Sequence, residues 1–319
     1  MHAIAALVIA VPMRVLGQRR SPIRIGWLAI EPVASNLAAF REGLREIGYL
    51  ESTDLVIEER YAHEASQFEA MATELARLDV DVIVATTSTA VRAVRKVSPR
   101  IPVVFVVADP VASGLVSSLA QPGGDMTGVA TLLVELVGKR LQLLKELTPG
   151  IHSFALLNDA AGVGIETQRV ILEQARDAAR QVGIELRGSY PVKKADDIDS
   201  AFDAAAKAGT NAMVLVSSPW FHANRERVVR AAMRVRMPTI YEHADFVRIG
   251  GLVSYGTDLR GVYRNVATYV DKILKGAPPA TLPVEQIRKI ELVINLKTAK
   301  ALGLSIPQSV LLRADEVIQ

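Results

Sequence analysis

One order of elements, used twice, constrains this chain more than any other feature. A continuously apolar run, IRIGWLAI, begins at Ile23 and reads as a strand. The loop EPVAS follows, and then Leu37, Phe40, Leu44 and Ile47 recur at helical spacing, with Ser35 or Asn36 available as N-cap and Gly48 just past the end. A second strand, LVIEE, leads to a helix with the apolar stripe Phe68, Met71, Ala72, Leu75 and Leu78. A third strand, DVIVA, runs into Thr86, and after a short helix PVVFVVA ends at Asp109. The order then returns: SFALLN ends at Asn158, the loop DAAGVG opens a helix with Val170, Ile171, Ala175, Ala178 and Val182 inside, and Gly183 closes it. Strand IELRG, helix IDSAFDAAAKAG and strand NAMVLVSS complete the second set, and the interval from first to third strand is roughly sixty residues in both halves.

Strands that alternate with helices imply right-handed crossovers and parallel sheets covered on both faces. The expected fold is therefore α/β, with two Rossmann-like lobes side by side. At 319 residues the chain exceeds the size at which one core keeps growing, which agrees with two units. Half of its residues are apolar but only 5% aromatic, as suits aliphatic helices on buried parallel strands. PGGD at Pro122–Asp125 and GAPPATLP at Gly276–Pro283 punctuate the pattern. They divide the chain into a first lobe of 23–128 plus about 245–276 and a second of 129–244 plus about 277–319, the return crossing falling near His243 to Gly251. The helix Leu259 to Leu274 has no lobe assignment from pattern alone. Small molecules sit outside the carboxyl ends of such strands, so two facing lobes would form a cleft from two sets of loops.

Several function classes drop out. Lys and Arg number 37 against 34 Asp and Glu, a formal net charge of +3, and the densest basic cluster, Arg225 to Arg236, is spaced like the solvated face of a helix; no nucleic-acid partner is expected. Zero cysteines remove disulfides, thiolate metal sites and cysteine nucleophiles. His2, His63, His152, His222 and His243 show no metal-ligand spacing, so structural or surface roles are expected, with no metal and no cofactor. Neither a GxSxG elbow nor a Walker A lysine occurs, and Gly162-Val163-Gly164 lacks the third glycine of a dinucleotide fingerprint. Those glycines more simply let amides at a helix start approach a ligand. MHAIAALVIAVP carries an apolar run of signal-peptide length without a basic leader, which suggests that residues 1–22 are the remnant of an export signal or disordered. No later stretch reaches membrane-spanning length.

What remains is polar residues at strand ends: Glu31 and Ser35, then Thr86, Thr87 and Ser88, then Asp109 in the first half. The second half adds Asn158 and Asp159, Ser217 and Ser218 beside Trp220, and Glu242 with His243. The run TTSTA is the sharpest, because a strand that ends in hydroxyls and enters a helix leaves free N–H groups suited to a carboxylate. Thr87 could equally be a plain N-cap and Asp109, before Pro110, a turn opening. Trp220, with Tyr255, would suit a flat or aromatic group through stacking, or else packs under its loop.

These stretches also carry a family resemblance. FREGLREIGY, DVIVATTSTA, IPVVFVVADPVASGLVSSLAQPGGDMTGV, GKRLQLLKEL, GGLVSYGTD, YVDKILKG and ELVINLKTAKALGLSIPQSVLLRADEVI resemble the ABC transporter substrate-binding proteins that include tryptophan- and tyrosine-type uptake systems, over about Ile25 to Val317. The resemblance implies a type I periplasmic-binding fold and an exported, non-enzymatic, monomeric binder that captures a small-molecule solute between its lobes and delivers it to an ABC permease in the membrane. It carries Ser35, Thr86 to Ser88 and Asp109 over as ligand-binding, together with Asn158, Ser217, Trp220, Glu242 and Tyr255 in the second lobe. The expected solute is an amino acid or an aromatic or hydroxy carboxylic acid. A ligand-sensing module or an enzyme on the same fold are the alternatives, the first needing a DNA-binding head that does not fit before Ile23 and the second a cofactor motif or acid–base cluster.

Overall fold

A computed structural model describes residues 22–62, 64–131, 136–160, 165–287 and 289–319. The apolar N-terminal run, His63 and the Gly162–Gly164 turn therefore lie outside the described residues. The first half folds as β1 (Ile23–Ala29), α1 (Ala34–Glu46), β2 (Leu55–Tyr61), α2 (Phe68–Arg77), β3 (Val82–Ala85), α3 (Ser88–Val97), β4 (Val103–Val107) and β5 (Met126–Ala130). The second half follows as α4 (Val137–Leu147), β6 (Ser153–Asp159), α5 (Ile165–Val182), β7 (Glu185–Val192), α6 (Asp197–Lys207), β8 (Met213–Leu215), α7 (Pro219–Ala223), α8 (Arg225–Arg234), β9 (Thr239–Tyr241), α9 (Ala244–Arg248) and β10 (Val253–Thr257). The chain ends through α10 (Leu259–Leu274), β11 (Glu285–Gln286), β12 (Ile290–Asn295), α11 (Leu296–Ala301), α12 (Gln308–Leu311) and β13 (Glu316–Ile318).

Two sheets result. The first has the order β11-β5-β4-β3-β1-β2 and the second β13-β12-β10-β9-β8-β6-β7. Their strands run parallel except where β12 meets β10, in the register Val253 opposite Ile294. The continuously apolar strands are explained by burial on both faces: one core, with Ile25, Trp27, Val82, Val84 and Val104, lies under α1 and α10, and another, with Leu28, Ile83, Phe105 and Val107, lies under α2 and α3. The second sheet is covered in the same way. Phe154, Leu156, Val214 and Ile240 face α4 and α5, while Ala155, Leu157, Leu215 and Tyr241 face α6 and α8. Alternate residues of each strand thus feed opposite cores, as the pleat requires.

The lobe boundaries differ from those expected. The return to the first sheet occurs at Asp258, because β10 pairs with β9 and β12 and so belongs to the second sheet. Residues 277–287 stay with the first sheet through β11, which pairs with β5. The first lobe is thus completed by 258–287 rather than 245–276. The helix that pattern left unassigned is α10, which lies against α1; Trp27 of β1 contacts Phe40 and Tyr263 at ring-centroid distances of 5.4 and 5.6 Å, joining one strand and both helices. The chain passes between the sheets three times, between Ala130 and Val137, at Asp258, and between Gln286 and Ile290. Asp258 caps α10 by accepting from the Gly261 N–H at 2.9 Å, and Lys289 donates to its other carboxylate oxygen at 3.1 Å, so two of these crossings are tied together. No helix of the described residues is long and apolar enough to cross a membrane.

Candidate functional site

Parallel strands bring their carboxyl ends to one edge of each sheet, and the polar candidates fall there. On the first sheet, the Thr86 N–H is spent on the Leu28 carbonyl at 3.1 Å. Thr87 is in extended conformation and its hydroxyl accepts from the Ala90 N–H at 3.1 Å, which makes it the N-cap of α3, with Ser88 as the first helical residue. The cap satisfies one donor of the first turn and leaves the hydroxyl proton and neighbouring N–H groups at the sheet edge. Asp109 is exposed and opens a turn: its Oδ1 accepts from the N–H of Val111 at 3.1 Å and of Ala112 at 2.9 Å, while Oδ2 stays outside those bonds. Ser35 is not the helix cap, since α1 starts from Val33 without a side-chain cap. Its hydroxyl instead donates to Asp245 Oδ2 at 2.8 Å. Ser35 follows β1 and Asp245 follows β9, so this bond shows that the carboxyl edges of the two sheets face each other.

The second edge is built differently. Asn158 is buried and accepts from the Ser189 hydroxyl at 2.8 Å, which ties β6 to β7. Asp159 accepts from the Ser218 hydroxyl at 2.6 Å, and Ser218 caps α7 by accepting from the N–H of Trp220 at 3.1 Å. Ser217 is partly buried between β8 and α7. Trp220 is partly buried, edge-on to Phe221 at 5.3 Å, and packed against the core under α6 and α8. Tyr255 lies within β10, with its ring against the core under α4 and α5. Its carbonyl accepts from Arg140 Nε at 2.7 Å.

Glu242, directly after β9, is completely buried. Among the described residues neither of its carboxylate oxygens has a hydrogen-bond partner. Burial pushes its carboxyl up to about 7, against the pull of Arg140 and of the backbone N–H groups of Glu242 and Ser218 nearby. Arg140 is itself 2% exposed, and burial lowers its guanidinium against the fields of Glu242 and Tyr255. Beside Glu242, His243 is held well below its usual range by burial and by the neighbouring His222, and its Nδ1 is buried without a partner among the described residues. His222 and His243, distant in sequence, have ring centroids 5.3 Å apart. The His222 hydrogen bond to Asp245 Oδ2, at 2.9 Å, holds that carboxyl far below the ordinary carboxylate range despite its burial, and Ser35 and Arg248 add to the effect. A cavity of about 600 Å³ opens along this seam, lined by Ser35, Asn36, His243, Asp245, Arg248 and Asp258 among others.

The structure therefore groups Ser35, Thr86–Ser88 and Asp109 on one edge and Ser217, Trp220 and Glu242 on the other. Tyr255 and Asn158 are drawn into packing and strand-pairing roles. Sequence reasoning passed over Arg140 and Asp245. Arg140 carried a usable signal, since it occupies the buried stripe of α4 between Val137 and Leu141. A charge on an apolar stripe requires a partner or a purpose.

Two α/β lobes whose carboxyl edges meet across a seam define the architecture of periplasmic binding proteins, and known structures agree. A conserved domain protein from Vibrio cholerae matches with a TM-score of 0.82 and 26% identity, over 93% of this chain and 100% of the other. An ABC domain in complex with L-Trp from Streptococcus pneumonia matches with a TM-score of 0.81 and 24% identity, over the same shares. A tyrosine-binding protein of Clostridioides difficile is 24% identical over 270 residues, 83% of this chain and 75% of that one. Residues 32–318 match the family of ABC transporter substrate binding proteins, and the chain belongs to that family. Its role is to bind a solute for an ABC transporter, and the family is one of binding proteins rather than of enzymes.

Proposed function

We propose that the chain captures an amino acid, or an aromatic or hydroxy carboxylic acid, between its lobes and hands it unchanged to a membrane permease, acting as an exported, periplasmic monomer. The observation that carries this reading is the α3 start, where Thr87 caps the helix and free N–H groups gather at a sheet edge without a carboxylate of their own. A solute carboxylate would be held there by the hydroxyls of Thr86 to Ser88 and the N–H groups at the α3 start, the Thr86 N–H being already given to Leu28. Asp109, with Oδ2 outside its turn, would accept from a hydroxyl or ammonium of the same solute. Trp220, partly buried at the second edge, would favour a flat group, with Tyr255 packed behind in the core. The relatives named for tyrosine and bound to L-Trp support the same class.

A thermal-shift screen of amino acids and of aromatic and hydroxy acids tests the class, because a ligand of the folded state raises the melting temperature with concentration. Recovery of the bound solute unchanged separates binder from enzyme. Calorimetry with the best binder then tests the edge. Asp109→Ala should weaken binding by about 1.5 to 3 kcal/mol, roughly ten- to hundredfold, while folding survives, and Thr87→Ala should weaken it too. Wild-type affinity in both variants would leave these residues as a turn and a cap.

A further inference from the structure

Among the acids near the second edge, Glu242 stands apart. Asp159 is met by the Ser218 hydroxyl, Asp245 by Ser35, His222 and Arg248, and Asp258 by Gly261 and Lys289. Glu242 is at least as deeply buried as any of these, yet both of its oxygens lack partners among the described residues. A carboxylate accepts up to about four hydrogen bonds, and a buried polar group left without them is costly. Arg140 does not make up the deficit. No ion pair joins it to Glu242, and its Nε is committed to the Tyr255 carbonyl. Arg140 contributes a field rather than donors.

The place of Glu242 says what could supply them. It stands at the carboxyl end of β9, beside Ser218 at the end of β8 and against Gly256 of β10, on the edge that faces the first lobe. The opposite edge offers N–H and hydroxyl donors at α3, which suit a carboxylate and repel nothing anionic. A solute spanning the seam would therefore meet the α3 donors and the exposed Asp109 on one side and, on the other, a buried carboxylate without partners among the described residues.

Resting on the solute reading above, we infer that Glu242 receives the ammonium group of the solute, so that the site selects amino acids over hydroxy acids and plain carboxylic acids of the same skeleton. An ammonium brings three donors and a positive charge, which satisfies both oxygens at once. A hydroxyl brings one donor and no charge. Loss of such a charged hydrogen-bonded pair is worth roughly tenfold or more in affinity.

Calorimetry on wild type and Glu242→Gln tests this with L-tryptophan and L-tyrosine, their des-amino counterparts indole-3-propionate and 3-(4-hydroxyphenyl)propionate, and the remaining common amino acids with their 2-hydroxy analogues. Wild type should prefer the amino acid of a matched pair at least tenfold, and Glu242→Gln should bring that ratio close to one, mainly by weakening the amino acid. Equal binding of both members of a pair by wild type overturns the inference without any variant, as does a parallel loss of both in Glu242→Gln. Binding confined to hydroxy or des-amino acids overturns the inference and leaves the solute reading standing. A panel in which nothing binds overturns both. Should Glu242→Gln fail to fold, Glu242→Asp keeps the charge on a shorter stem and should retain part of the preference; an unchanged ratio with a parallel loss of both ligands would count against the inference.

Discussion

The carboxyl edge of the first sheet and that of the second are made from the same kind of strand end and do opposite things with it. On the first, the polar groups serve backbone: Thr87 answers the Ala90 N–H and Asp109 answers two N–H groups in its turn. The edge is left exposed and rich in donors. On the second, ionisable groups are taken inside: Arg140, Glu242 and His222 are all at most 2% exposed. Caps and turns cost little and can be built from local sequence. Buried charge is expensive and persists only where something repays it. The difference teaches that in a repeated fold the two copies of one motif can be built differently, one half from exposed caps and turns and the other from buried ionisable groups, which is the division of labour the proposed reading needs.

The comparison breaks first at two glycines. On β5, Gly128 has φ of +151° and a Cβ there would lie 2.1 Å from the Phe105 carbonyl oxygen. On β10, a Cβ at Gly256 would lie 1.8 Å from the carbonyl oxygen of Glu242. Both obstacles are backbone, which cannot rotate away as a side chain can. Gly128→Ala and Gly256→Ala should each cost about 4 kcal/mol or more in urea unfolding, beyond ordinary overpacking. Under milder conditions Gly256→Ala should also lose the preference among solutes, because it pushes on the residue that makes it. A loss below about 1 kcal/mol in either variant would mean that the close approach of the strands is easily relieved.

The next effect belongs to the second edge alone. Glu242 has its folded-state pKa raised to about 7 from 4.5, so the native state holds the proton more tightly than the unfolded chain. Its contribution is fully present below about 4.5 and is lost as pH rises through 7. His243 works the other way: its folded pKa is depressed, so its contribution is full above about 6.5 and is lost as pH falls. The two oppose each other below about pH 6.5. The charged and titratable neighbours are Arg140 from α4, His222 from α7, Tyr241 from β9, Asp245 from α9 and Tyr255 from β10. They are common to wild type and Glu242→Gln and drop out of the difference. Wild-type stability minus that of Glu242→Gln, without solute, should therefore fall by about 3 kcal/mol between pH 4.5 and 8. A flat difference would mean that Glu242 already has its donors in the free protein.

Much of this was legible in the chain, and the failures have physical causes. Apolar runs marked the strands because parallel strands are buried on both faces, and the repeat gave two sheets. Which sheet α10 joins was not legible, since an amphipathic stripe says that a face is buried and not against what. The crossing at Asp258 was hidden for the same reason: β10 is fixed in the second sheet by pairing with β9 and β12, both non-local. Asp109 and Thr87 were rightly found at strand ends, but sequence could not tell how much of their hydrogen-bonding capacity the backbone takes. Arg140 was readable as a charge on the buried stripe of α4, and only the strand-end search passed it by.

The smallest expected effect on stability concerns the place where the two edges touch. The Ser35 hydroxyl reaches across to Asp245 Oδ2, and Ser35→Ala removes that bond without orphaning its acceptor, because His222 and Arg248 still hold the same carboxylate. The cost should therefore be the net worth of one hydrogen bond, about 0.7 kcal/mol, with no desolvated group left behind. Its consequence is directional. The bond joins the two lobes; where opening parts Ser35 from Asp245 its loss falls on the closed form alone, and about 0.7 kcal/mol is then roughly a threefold fall in the ratio of closed to open. A solute trapped between lobes requires the seam to open and shut by hinge motion at the crossings. Small-angle scattering should then show a larger mean radius of gyration for unliganded Ser35→Ala than for wild type, and the same radius for both at saturating solute. If the unliganded profiles coincide while wild type itself contracts on binding, the Ser35–Asp245 bond follows closure without helping to set it, and the balance between open and closed rests on the crossings alone.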